Sequence, residues 1–129
     1  MKTKTIASLP DHLLAEETVE FRKITAIIRA LTLEAVEKNL IAAGVRGVTV
    51  TRVKGYGEYA DFFSRDWMTE HVRIEIFTHR DRVAEIRDAI FAAASTGAKG
   101  DGIIAVLPVE CVYRIRDRSA APPERPALI

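Results

Sequence analysis

Residues 21–44, FRKITAIIRALTLEAVEKNLIAAG, change hydrophobic period once. From Phe21 to Arg29 the apolar residues Ile24, Ala26 and Ile28 stand two apart, the spacing that lines one face of a half-buried strand. Beyond them Leu33, Val36, Leu40 and Ile41 recur at i, i+3, i+7 and i+8, with Thr32 placed as an N-cap and Gly44 as the stop. A strand followed by an amphipathic helix of about three turns is expected.

The same alternation returns further along. Gly47–Lys54 sets Val48, Val50 and Val53 among threonines, and Val72, Ile74 and Ile76 alternate with Arg73 and Glu75, so both read as strands. Thr78 with Asp81 three residues on has the form of a capping box, and Val83, Ile86, Ile90 and Ala93 make the inward stripe of a second helix. Ile103–Leu107 is a short apolar run, and Cys111–Arg116 alternates again as a last short strand. The order β, α, β, loop, β, α, β predicts an α+β chain of the ferredoxin-like βαββαβ sandwich type, with both helices on one face of an antiparallel sheet. That plan hosts many chemistries, so function has to come from the loops.

Composition narrows the classes. The chain has 129 residues, 48% of them hydrophobic, which suits one globular domain with a core that needs no disulfide or structural metal. Nineteen Lys and Arg against eighteen Asp and Glu leave a formal charge of +1, too little for a dedicated nucleic-acid binder. The single cysteine, Cys111, has no partner for an internal disulfide and no metal-ligand spacing around it. With no apolar signal segment near the start, and with Ile103–Val109 far short of a membrane span, a cytoplasmic protein is expected. Three of the five prolines fall in the last eight residues. Residues 1–20 are therefore read as an N-terminal extension, 21–116 as the packed domain and 117–129 as a flexible tail.

Two glycine-rich loops are candidates for a site. Gly55-Tyr56-Gly57 follows the second strand, and Thr96-Gly97-Ala98-Lys99-Gly100-Asp101-Gly102 follows the second helix. Glycines let backbone N–H groups close around a phosphate, although each motif is also what an ordinary turn or a helix C-cap would show. Arg114 and Arg116, two apart on the last strand, would share a face and could fork onto phosphate oxygens, or simply be solvated.

Taken together, Gly47-Val48-Thr49-Val50-Thr51-Arg52-Val53-Lys54-Gly55-Tyr56-Gly57, Val72-Arg73-Ile74-Glu75-Ile76, Thr96 through Gly102, and Pro108-Val109-Glu110 followed by Arg114-Ile115-Arg116 resemble, in order, the PII signal-transduction proteins. The resemblance implies a homotrimer with nucleotide sites in the clefts between neighbouring subunits. It implies that Thr49 lies near the adenine, that Gly55, Gly57, Gly97, Gly100 and Gly102 hold phosphates, and that Arg114 and Arg116 close over them from the next subunit. The T-loop would run over about residues 58–71 and the B-loop over about 95–102. Proteins of this kind are regulators rather than enzymes, and the T-loop docks on a target transporter or enzyme.

The chain departs from the family in three places. The B-loop lysine that usually follows Gly-Asp-Gly is Ile103, which has no charge to offer an outermost phosphate. Only fourteen residues, Glu58 to His71, separate Gly57 from Val72, a short T-loop. The glutamine expected after the Gly-x-Gly base is replaced by Glu58 and Tyr59, and a carboxylate there repels a dicarboxylate. Tyr56, Tyr59, Phe62, Phe63 and Trp67 put five of the nine aromatics into twelve positions, which fits a contact surface for a partner or a small cluster within the loop itself. His71 reads as a surface or hydrogen-bonding residue rather than a metal ligand.

The expected protein is thus a PII-like sensor of adenine nucleotide, ADP or AMP in preference to ATP. It would also take a small anion, bicarbonate, near Gly57, Glu58 and Tyr59. Its output would be control of inorganic-carbon uptake or fixation, with Phe62, Phe63 and Trp67 meeting the target. The alternative is a regulator of a metal-efflux or nitrogen-transport system. An enzyme lacks support, since no nucleophile with an adjacent base and no Walker-type lysine is present.

Overall fold

The structure, a computed structural model, describes residues 20–54 and 70–121. The first strand, β1 (Phe21–Arg29), lies in the middle of a four-stranded antiparallel sheet. Along its whole length it pairs with β3 (His71–His79), so that Ile24 faces Ile76, Ala26 faces Ile74 and Ile28 faces Val72. All six are buried, because paired residues of an antiparallel ladder share a face and this face is the covered one. Burial of each large aliphatic among them contributes about 1.5–3 kcal/mol.

The edges are β2 (Thr49–Val53) beside β3 and β4 (Gly102–Val109) beside β1, giving the order β2-β3-β1-β4. Helices α1 (Leu33–Ala42) and α2 (Val83–Ala94) cover the same face and send Val36, Leu40, Ile86 and Ile90 into one core with the sheet. They are tied together where the Asn39 side chain donates to the Ala89 carbonyl at 3.0 Å. The ferredoxin-like βαββαβ plan read from the hydrophobic periods is the fold. Pro108 fits it: β4 is an edge strand, where one missing N–H leaves no ladder bond unmade.

Helix ends differ in detail from the sequence reading. Gly44 stops α1 as expected, at φ +90°, with its N–H on Ile41 O and that of Val45 on Leu40 O, the paired bonds of a Schellman ending. Thr32 does not cap α1. Its backbone is already helical, and its hydroxyl donates to Arg29 O at 2.8 Å, closing a 3-10 turn over Ala30–Thr32. Nor does Thr78 begin a capping box: it is buried in β3, and the cap of the following 3-10 turn (Arg80–Arg82) is His79, whose Nδ1 accepts from the Asp81 amide at 3.2 Å. Ile41 and Val50 are exposed rather than inward, Ile41 because it lies off the α1 stripe and Val50 because β2 is an edge.

The end of the chain also differs. Only Tyr113–Arg114 forms a strand (β5), paired not with the main sheet but with β6 (Ser119–Ala120), and Ala121 beyond it is buried. The packed chain therefore continues past Arg116, the boundary expected from sequence. Arg116 lies in the turn between β5 and β6, so it does not share a strand face with Arg114.

Candidate functional site

The loop from α2 to β4 is built around one carboxylate. α2 ends as Ser95 turns to an extended backbone, and Gly97, Gly100 and Gly102 follow at φ +86°, +95° and +117°, values that L side chains adopt only with strain. Inside the curve sits Asp101. It accepts from the Thr96 amide at 2.6 Å, the Gly97 amide at 2.9 Å, the Thr96 hydroxyl at 2.6 Å and Arg29 Nε at 3.4 Å. Burial raises the Asp101 pKa, but these hydrogen bonds outweigh it and hold the carboxyl down at about 2. Gly102 is the tightest position: a Cβ there would fall 1.7 Å from the Ile27 carbonyl oxygen, so β4 can enter the sheet only on a glycine.

Two neighbours hold the loop from outside. Arg29, the last residue of β1, donates from Nη2 to Lys99 O at 2.6 Å in addition to its bond to Asp101. His71, the first residue of β3, is buried and places Nε2 3.0 Å from Gly100 O. His71 pairs with Val53, the last residue of β2, so the two strand ends that lead into residues 55–69 lie beside this loop. Glu70, just before His71, pairs with Arg52 at 2.6 Å and accepts the Ala30 amide at 3.4 Å. The surface reading of His71 gives way to a buried hydrogen-bonding one.

The residues expected at a nucleotide site fall into three groups. Gly97, Gly100 and Gly102 are together in the loop just described. Thr49 is exposed on the far edge strand, with β3 and β1 between it and β4, and Arg114 is on β5, which pairs with β6 and not with the main sheet. Within one chain Thr49 is therefore not gathered with the loop glycines. Gly55, Gly57, Glu58 and Tyr59, and the aromatics Phe62, Phe63 and Trp67, lie outside the described residues. Ile103 is on β4 opposite Ile27, 46% exposed, on the sheet face that carries no helix.

Sequence reasoning overlooked Arg29 and the inward role of Asp101. The only signal for Asp101 was an acid set among glycines, a pattern equally at home in a solvent-facing turn. Among the described residues, no group of three or more His, Cys, Asp or Glu could hold a metal ion, and no helix is long and apolar enough to cross a membrane.

Two layers with this strand order define a ferredoxin-like α+β protein, and the glycine loop at the start of β4 marks a particular branch of it. The family profile described as Nitrogen regulatory protein P-II matches residues 21–119. The chain is 37% identical over 105 residues to the nitrogen regulatory protein P-II homolog of Arabidopsis thaliana, covering 75% of this chain and 54% of that one. It is 38% identical over 102 residues to nitrogen regulatory protein P-II of Microchaete diplosiphon, covering 74% and 91%. A crystal structure of Arabidopsis thaliana PII bound to citrate superposes with a TM-score of 0.70 at 34% identity, over 81% of this chain and 89% of that one. The chain belongs to the P-II family. It spans about half the length of its plant relatives and most of the Microchaete protein, and all of these bear the names of regulators, not of enzymes.

Proposed function

We propose that this chain is a P-II-type regulator that senses adenine nucleotide together with a small anion and performs no catalysis. The observation that carries the reading is the loop Thr96–Gly102, where three left-handed glycines bring backbone within reach of a phosphate. The separation of Thr49 from that loop by two strands supports a homotrimer, in which neighbouring subunits bring them together, with Arg114 supplied by the next subunit. Of Gly55, Gly57, Gly97, Gly100 and Gly102, the glycines expected at the phosphates, all but Gly97 then hold them, since the Gly97 amide already donates to Asp101, with Arg114 and Arg116 over them and Thr49 at the adenine.

ADP or AMP is favoured over ATP because Ile103 gives the outermost phosphate no cation. The anion is bicarbonate, taken near Gly57, Glu58 and Tyr59, and the target is a carbon-uptake or carbon-fixation protein met by Phe62, Phe63 and Trp67 in the cytoplasm. Citrate on the Arabidopsis relative supports binding of a carboxylate-type anion by this family. The names of the relatives favour a second reading, control of a nitrogen transporter, and a metal-efflux system remains its variant. Titration of ADP with and without bicarbonate at constant pH and ionic strength, read by Trp67 fluorescence, tests the proposal. Each ligand should tighten the other by the same factor. Superimposable curves would discard bicarbonate and leave the nucleotide, and no ADP binding at all would discard both.

A further inference from the structure

The two halves of the fold carry the same clasp. At the end of β1, Arg29 reaches across to the helix-to-strand loop of the second half and donates to Lys99 O, with the position of a Gly100 Cβ only 2.9 Å from its Nη2. After β3, Arg82 reaches back to the helix-to-strand turn of the first half and donates to Ala43 O, with the position of a Gly44 Cβ 3.5 Å from its Nη1. In both cases a guanidinium from a strand-to-helix junction grips a carbonyl beside a left-handed glycine, which lets the planar group lie close to the backbone. The halves differ in one respect. Arg82 takes its carboxylate from its own helix, Glu85 at 3.0 Å, whereas Arg29 takes its carboxylate from the gripped loop itself, Asp101.

That difference bears on phosphate binding. The Asp101 carboxylate already occupies the amides of Thr96 and Gly97, so an incoming phosphate could use them only by expelling an internal anion that is ionised down to about pH 2. We propose that Arg29 is the positioning residue of the phosphate loop: through the Lys99 carbonyl and Asp101 it fixes the backbone so that the Gly100–Gly102 half, and not Gly97, meets the phosphate. Arg29 acts through the loop rather than on the ligand. Arg82 holds only the turn after α1. The inference rests on the nucleotide reading above.

The test compares ADP with adenosine by calorimetry on the full chain and on Arg29→Gln, Asp101→Asn and Arg82→Gln. Loss of loop geometry should weaken ADP by about tenfold, the scale of one charge-assisted hydrogen bond, in both Arg29→Gln and Asp101→Asn. Adenosine, which has no phosphate, should bind all variants as it binds the wild type, and Arg82→Gln should keep ADP affinity while lowering the unfolding midpoint. Arg29→Lys, able to make one of the two contacts, should recover part of the loss. ADP binding unchanged in Arg29→Gln overturns the proposal, as does a parallel fall for ADP and adenosine. Tighter ADP binding by Asp101→Asn also overturns it, because the carboxylate would then be only a repelling charge. Asp101→Asn, nearly isosteric, decides the matter if Arg29→Gln does not fold. Wild type that binds neither ligand removes the nucleotide reading itself, whereas wild type that binds both isolates the role of Arg29.

Discussion

His71 Nε2 lies 3.0 Å from the carbonyl oxygen of Gly100, both residues buried, and this bond joins the start of β3 to the loop before β4. A carbonyl only accepts, so Nε2 carries the proton. Replacing His71→Leu leaves that carbonyl without its donor in a water-poor place, a cost of about 1–3 kcal/mol. Urea unfolding should show the loss, and His71→Gln, which keeps an N–H donor, should recover part of it. Equal stability of wild type and His71→Leu would show that the bond holds nothing.

The glycines of the loop should not respond alike to a methyl group. At Gly102 a Cβ meets Ile27 O at 1.7 Å, so Gly102→Ala must push β4 away from β1 and should abolish the folded protein or cost several kcal/mol. At Gly97 nothing lies within 4 Å, so Gly97→Ala costs only the left-handed backbone, about 1–2 kcal/mol. Thermal melts of the two variants, side by side, measure the contrast.

Acid should loosen the loop late. The Asp101 carboxyl sits at about 2 in the folded chain against an ordinary value of 3.8, so its contribution is complete above the unfolded value and is lost as pH falls from about 4 through 2. Amide shifts of Thr96 and Gly97, followed by NMR, should titrate in that window. A midpoint near 4 would mean that the hydrogen bonds to Asp101 are not made in solution.

Ile103 sets an expectation for phosphate number. ATP should bind little better than ADP, and Ile103→Lys, which puts an ammonium group beside the loop, should improve ATP selectively. Calorimetry with both nucleotides checks this. A wild-type preference for ATP of more than about tenfold, or about 1.4 kcal/mol, would require another cation to serve the last phosphate.

The sheet face without helices sets an expectation for assembly. Ile103 and Leu107 are 46% and 42% exposed there, beside the Lys23–Glu75 ion pair at 3.0 Å. Closing three such sheets about an axis would cover the apolar residues, so light scattering should give three times 14.3 kDa. A stable monomer would leave Thr49 and Arg114 without a partner loop.

The sequence by itself determined the order of elements and the covered face. Ile24, Ala26 and Ile28, and again Val72, Ile74 and Ile76, reveal their strand because a period of two is a local property of the backbone, and Gly44 reveals a helix end for the same reason. Where local rules compete, the sequence misled: Thr32 and Thr78 look like caps, but a 3-10 turn precedes each helix and shifts the geometry. Arg116 looked like a strand partner of Arg114 because alternation does not show where a turn begins. The glycines of the loop were legible as glycines, but not what fills them. Only the tertiary structure decided that, because Arg29 and Asp101 are 72 residues apart in the chain and His71 and Gly100 are 29 apart. No periodicity links such residues; they meet because β1 lies between β3 and β4, which sets the ends of three strands around one loop.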